Sequence, residues 1–162
     1  MLQGGNSTKD LIIIPDSEYK VTSITINGTA ITFMEDENGI VTLPKFENMT
    51  EDKHIIVTFE QIKGKITVNK VDNSDNTKLS GATFKLEKLD DAGNVDTTFT
   101  VQEKTTGDTG IVEFTDLLIG KYQITETKAP EGYELNTEVT KVDVTRENRN
   151  LNLTLKNREK LD

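Results

Sequence analysis

The chain of 162 residues has room for one ordinary domain or two small ones. Its net charge of −9 argues against nucleic acid or an anionic membrane as partner, and 33% hydrophobic residues with no Trp imply a lean, aliphatic core. The absence of Cys excludes disulfides and thiolate metal sites.

MLQGGNSTK at 1–9 reads as a disordered lead-in. Beyond it, apolar residues recur with period two and turn residues interrupt them at short intervals, the pattern of strands. In chain order the predicted strands are LIII (11–14), YKVTSITI (19–26), AITFM (30–34), IVTL (40–43) and HIIVTFE (54–60). After them come KITVNKV (65–71), ATFKLEK (82–88), TFTVQE (98–103), IVEF (111–114), KYQITET (121–127), TEVTKVDV (137–144) and NLNLTLKN (150–157). Turns fall at Asn27-Gly28, Asn38-Gly39, Ser80-Gly81, Ala92-Gly93, Gly107 to Gly110 and Pro130 to Gly132. No helical period is sustained, so the fold class is all-β, with β-sandwich architecture.

A boundary falls near Gln61 to Gly64. The expected organisation is the lead-in at 1–9, a small β module at 10–62, a Greek-key sandwich at 63–158 and a tail at 159–162. A module of about 60 residues buries a small core and is marginal alone. No apolar run is long enough to span a bilayer. Neither a signal peptide nor a sorting signal stands in this stretch, so an exported protein would make it a fragment.

Three strands of the second module each end in a polar residue where the alternation demands an apolar one. Ile66 and Val68 are followed in phase by Lys70, Tyr122 and Ile124 by Glu126, and Leu151, Leu153 and Leu155 by Asn157. In a Greek-key sandwich the first and last strands can lie side by side, which would bring an amine, a carboxyl and a carboxamide together. A neutral amine can attack a carboxamide carbon, expel ammonia and leave an isopeptide. Burial favours the neutral amine, and a carboxyl in the same apolar site can pass a proton to the amide oxygen. Well-oriented intramolecular reactions gain roughly 7–11 kcal/mol from proximity alone. A buried Lys70–Glu126 ion pair, with a hydrogen bond from Asn157, explains the same phase. Strand phase by itself favours that plainer account.

Four stretches carry a family resemblance: KVD at 70–72, LSGATFKL at 79–86, TGIVEFTDLLIGKY at 109–122 and ETKAPEGY at 126–133. Together with the closing strand, residues 63–158 resemble the collagen-adhesin B-type (Cna B-type; SpaA-like, prealbumin-like) repeats of Gram-positive surface proteins. The resemblance implies an Ig-like, prealbumin-like Greek-key sandwich with an intramolecular Lys–Asn or Lys–Asp isopeptide promoted by a Glu. The family lysine matches Lys70, the glutamate opening its E-T-x-A-P motif matches Glu126, and the acceptor ending its last strand matches Asn157. Asn150 and Asn152 lie on the opposite face by parity. Residues 10–62 resemble, less specifically, short β repeats of bacterial surface proteins.

Other motifs carry less. DNSDNTK at 72–78 has Thr77 and Thr83 where a calcium loop of the EF-hand pattern needs Gly and Glu. His54 is the only histidine, which makes neither a triad nor a metal site. No metal, cofactor or enzymatic turnover is expected. The resemblance implies a monomeric stalk or spacer of a cell-wall-anchored adhesin or pilus-type protein, outside the cell, with neighbouring modules of the same protein as partners. The alternative is a module that itself binds a host matrix protein.

Overall fold

The computed structural model describes residues 9–161 and is all-β in them. The lead-in read at 1–9 lies, apart from Lys9, outside these residues. The chain divides into two compact units, one ending at Ile62 and the other beginning at Lys63.

The first unit holds β1 (Leu11–Ile13), β2 (Tyr19–Ile26), β3 (Thr29–Ala30), β4 (Val41–Leu43) and β5 (Ile55–Gln61). β1 pairs with β4, and β2 lies between β3 and β5, all antiparallel. Alternation, shifted in β2 by an irregularity between Val21 and Ser23, puts Ile13, Val21, Ile24, Val41 and Leu43 inside, with Ile31, Phe33, Ile55 and Val57 half-buried against them. The predicted strand at 30–34 is realised only as Thr29–Ala30. Ile31 N–H still donates to Ile24 O at 3.0 Å, but the strand ends there, and Ile31 and Phe33 pack on the core. His54 lies just before β5 and is exposed. Its N–H donates to Asn27 Oδ1 at 2.7 Å and its carbonyl accepts from Asn27 N–H, so it helps close the Asn27-Gly28 turn.

The second unit holds β6 (Lys63–Asp72), β7 (Thr83–Leu89), β8 (Gln102–Thr105), β9 (Ile111–Leu118), β10 (Gly120–Lys128), β11 (Val139–Val144) and β12 (Asn150–Asn157). One sheet runs β11-β10-β7-β8 and the other β12-β6-β9. All neighbours are antiparallel except β6 and β12, the first and last strands, which run parallel with Leu151 opposite Ile66 and Leu155 opposite Lys70. The inner faces meet in one core: Ile66, Val68, Val112, Phe114 and Leu117 from one sheet, Phe84, Leu86, Tyr122, Ile124 and Val144 from the other. Leu151, Leu153 and Leu155 of β12 pack against its side.

β8 starts four residues later than the predicted strand at 98–103. Asp96 explains the shift: its carboxylate accepts from the N–H and hydroxyl of Thr98, and its carbonyl accepts from Phe99 N–H. That turn sends Phe99 inward, edge-on to Tyr122 with ring centroids 5.7 Å apart. Backbone pairing also runs past residue 158, where the sequence suggests a tail. Glu159 bridges Tyr133, and Lys160 N–H donates to Gly132 O at 2.8 Å.

Candidate functional site

The core stripes of β6, β10 and β12 all run toward one end of the sandwich, and there each stripe changes from apolar to polar. Lys70 extends Ile66 and Val68, Glu126 extends Tyr122 and Ile124 from the facing sheet, and Asn157 extends the leucines of β12. They are 0%, 5% and 2% exposed, respectively, so the three meet out of water. The Lys70 backbone is fixed on both sides, its N–H donating to Gly110 O at 2.7 Å and its carbonyl accepting from Leu79 N–H at 2.9 Å. Gly110 has φ +67°, and a Cβ there would sit 2.9 Å from Lys70 O, so glycine both makes the turn and admits the approach.

Glu126 stands between the other two. Its Oε1 lies 3.2 Å from Lys70 Nζ, and its Oε2 accepts from Asn157 Nδ2 at 2.8 Å. Oε2 also accepts the backbone N–H of Asn136 at 2.7 Å. Asn157 Nδ2 donates a second bond to Glu134 O at 2.6 Å. Two acceptors on this side of the carboxamide require its NH2 there, which turns Asn157 Oδ1 away. The Lys70–Glu126 approach is an ion-pair contact without hydrogen-bond alignment. Nζ, Oε1 and Oδ1 are consequently the buried side-chain atoms left without a hydrogen bond among the described residues.

The surroundings of Nζ pull its charge state in both directions. Burial holds the Lys70 pKa below its ordinary value, against the opposing pull of the Glu126 carboxylate. The ring of Phe84, itself fully buried, lies 5.6 Å from Nζ, a cation–π distance that also favours the ammonium form. A buried ion pair keeps two desolvated charges, whereas proton transfer from Nζ to the carboxylate leaves a neutral amine beside a neutral acid.

The connection between β10 and β11, residues 129–138, straps this end of the sandwich. Tyr133 N–H donates to Pro130 O, closing a turn in which Gly132 takes φ +85°. Tyr133 Oη–H donates to Asp72 Oδ2 at 2.7 Å, two residues beyond Lys70. Glu134 N–H donates to Arg158 O at 2.9 Å, and Asn136 Nδ2 to Lys156 O at 3.2 Å, so the strap holds both neighbours of Asn157. Asp72 also accepts from the hydroxyl and N–H of Ser74. Ser74 and Tyr133 hold its carboxyl down to about 2, while the Asp72 carboxylate pushes Tyr133 up to about 12. The latch therefore keeps its protonation from mildly acidic to strongly alkaline pH.

Sequence phase and the structure bring the same three residues together. The contact of the carboxyl differs from expectation, because Glu126 faces the amide nitrogen of Asn157 and not its oxygen. Asp72, Tyr133 and Asn136 had no role assigned from sequence. Asp72 and Tyr133 stand in the KVD and ETKAPEGY motifs, so the signal was there as identity without geometry. Among the described residues no group of His, Cys, Asp or Glu could hold a metal ion.

The model of the SpaA prealbumin-like fold domain matches residues 64–159. The chain belongs to this family. Among curated proteins it is similar to the trypsin-resistant surface T6 protein of Streptococcus pyogenes serotype M6, 37% identical over 93 residues. That match takes in 57% of this chain but spans only 15% of the relative's length. Among solved structures, the full-length major pilin SpaD of Corynebacterium diphtheriae has a TM-score of 0.54 at 20% identity, covering 98% of this chain and 58% of the pilin. The group B streptococcus pilus 2b backbone protein has a TM-score of 0.52 at 21% identity, covering 97% of this chain and 86% of that one. At these identities the likeness is one of fold. The site at the end of the β6, β10 and β12 stripes lies wholly inside the SpaA-type match.

Proposed function

We propose that this chain is a stalk segment of a Gram-positive surface protein of the pilus type, and that Lys70 and Asn157 of its SpaA-type domain join in an isopeptide bond promoted by Glu126. The observation that carries the proposal is the buried carboxyl with one oxygen toward the attacking nitrogen and the other toward the leaving nitrogen. Nζ gives a proton to the Glu126 carboxylate and attacks Cγ of Asn157 as a neutral amine. The resulting carboxylic acid passes that proton to Nδ2 and, ionised again, takes one from the former Nζ. The Cγ–Nδ2 bond breaks, ammonia leaves, and an amide remains between the two side chains. Oδ1 has no donor among the described residues, so proton relay and proximity, not an oxyanion hole, lower the barrier.

The bond suits a mechanical role. β6 opens the domain and β12 closes it, as parallel neighbours. Tension entering at Lys63 and leaving past Asn157 would run along residues 63–70 and through the crosslink, sparing the chain between. An amide is also indifferent to reductant, which suits a protein without cysteine outside the cell.

Time-resolved intact mass of newly synthesised chain tests this reading across pH. The mass is expected to fall by one ammonia, at a rate that is flat while Lys70 and Glu126 share a proton and falls once alkaline pH removes it. Because burial lowers the Lys70 pKa, that fall should set in below the ordinary lysine value of 10.5. A rate that climbs through that value would point to a solvent-exposed amine and against Lys70.

A further inference from the structure

Residues 129–138 do more than cover the triad. Five of their bonds end on Glu126 or Asn157, on a residue beside Asn157, or two residues from Lys70. Asn136 N–H holds the same Glu126 oxygen that receives Asn157 Nδ2. Glu134 O takes the second hydrogen of that carboxamide, which sets the face that Cγ presents and turns Oδ1 away. Asn136 Nδ2 on Lys156 O and Glu134 N–H on Arg158 O fix the backbone on either side of Asn157. The Tyr133–Asp72 bond ties the strap to β6 just beyond Lys70. Asn136 Oδ1 accepts Glu138 N–H at 2.9 Å, which stiffens the segment where it re-enters β11.

We infer that this strap is the positioning device of the amide transfer, with Tyr133 and Asn136 as positioning residues that touch neither Nζ of Lys70 nor Cγ of Asn157. The inference rests on the crosslink proposed above. Docking the strap converts three buried side chains into an aligned amine, carboxyl and carboxamide. The crosslink would therefore form only after β12 and the strap have closed over β6, so that a misregistered strand is not locked in place. Misplacement of reacting groups by about 1 Å can cost 10²-fold in rate.

The test follows ammonia loss by intact mass in freshly synthesised full-length wild type, Tyr133→Phe and Asn136→Ala, with pulsed hydrogen exchange reporting closure of β6 and β12. Both variants are expected to lose ammonia ~10–100-fold more slowly than wild type. Both should gain exchange protection at wild-type times, keep the wild-type shape of the pH profile and end one ammonia below their own sequence masses. A wild-type rate in either variant overturns the inference and leaves the Lys70–Asn157 bond standing. Protection that lags by the same factor as ammonia loss also overturns it, since the strap would then act on folding alone. A wild-type chain that keeps its full mass overturns the bond itself.

Discussion

Asn157→Ala is expected to keep its full sequence mass and to melt on the order of 20 °C below the wild-type SpaA-type domain. Closing the loop between residues 70 and 157 is worth roughly 4–5 kcal/mol if the chain-entropy account of disulfides carries over to an amide. For a domain of about 100 residues each kcal/mol moves the midpoint by about 4–8 °C. The substitution isolates the crosslink because Lys70 and Glu126 remain opposite one another. Lys70→Ala would remove the crosslink too, but it leaves a buried carboxylate without its cation, which by itself costs about 3–5 kcal/mol. Calorimetry on both variants separates the contributions: Lys70→Ala should melt lower than Asn157→Ala. Equal midpoints for Asn157→Ala and wild type would mean that no bond closes the loop.

Glu126→Ala is expected to slow ammonia loss by about 10²–10⁴-fold, the range usual for a positioned acid–base group. Lys70 and Asn157 stay in place on adjacent strands, held by the β6–β12 ladder, so proximity survives while the relay between the two nitrogens is lost. Glu126→Gln preserves the volume and the hydrogen bond from Asn136 N–H but cannot accept the proton of Nζ. It should be slowed as severely. A Gln variant that crosslinks at the wild-type rate would assign Glu126 to alignment and not to proton transfer.

Much of this fold can be read from alternation alone, since a strand with one buried face has to repeat every two residues. The phase of Lys70, Glu126 and Asn157 was legible for the same reason: each continues a stripe that the core has already set. Where local hydrogen bonding competes with the ladder, the pattern misleads. Thr98 and Phe99 look like strand residues, but the Asp96 carboxylate binds them into a turn and β8 begins at Gln102. Ile31 and Phe33 alternate as a strand does, yet pairing with β2 stops after the Ile31 N–H bond to Ile24 O.

The strap was the least legible part. Tyr133 meets Asp72 across 61 positions of sequence, and no periodicity connects them. Glu134 acts through its carbonyl and Asn136 partly through its N–H, groups that every non-proline residue carries. The orientation of the Asn157 carboxamide depends on those backbone groups. A reading of side-chain types could therefore pick out Lys70, Glu126 and Asn157 without placing the carboxyl beside the amide nitrogen.

Tandem mass spectrometry of a proteolytic digest of the wild-type chain tests the central claim most directly. The expected result is a branched peptide in which the β6 segment containing Lys70 is joined to the β12 segment ending at Asn157, lighter than the two linear peptides together by one ammonia. Recovery of both peptides in linear form, with a free amine on Lys70 and an intact carboxamide on Asn157, would contradict it and leave a buried ion pair in its place.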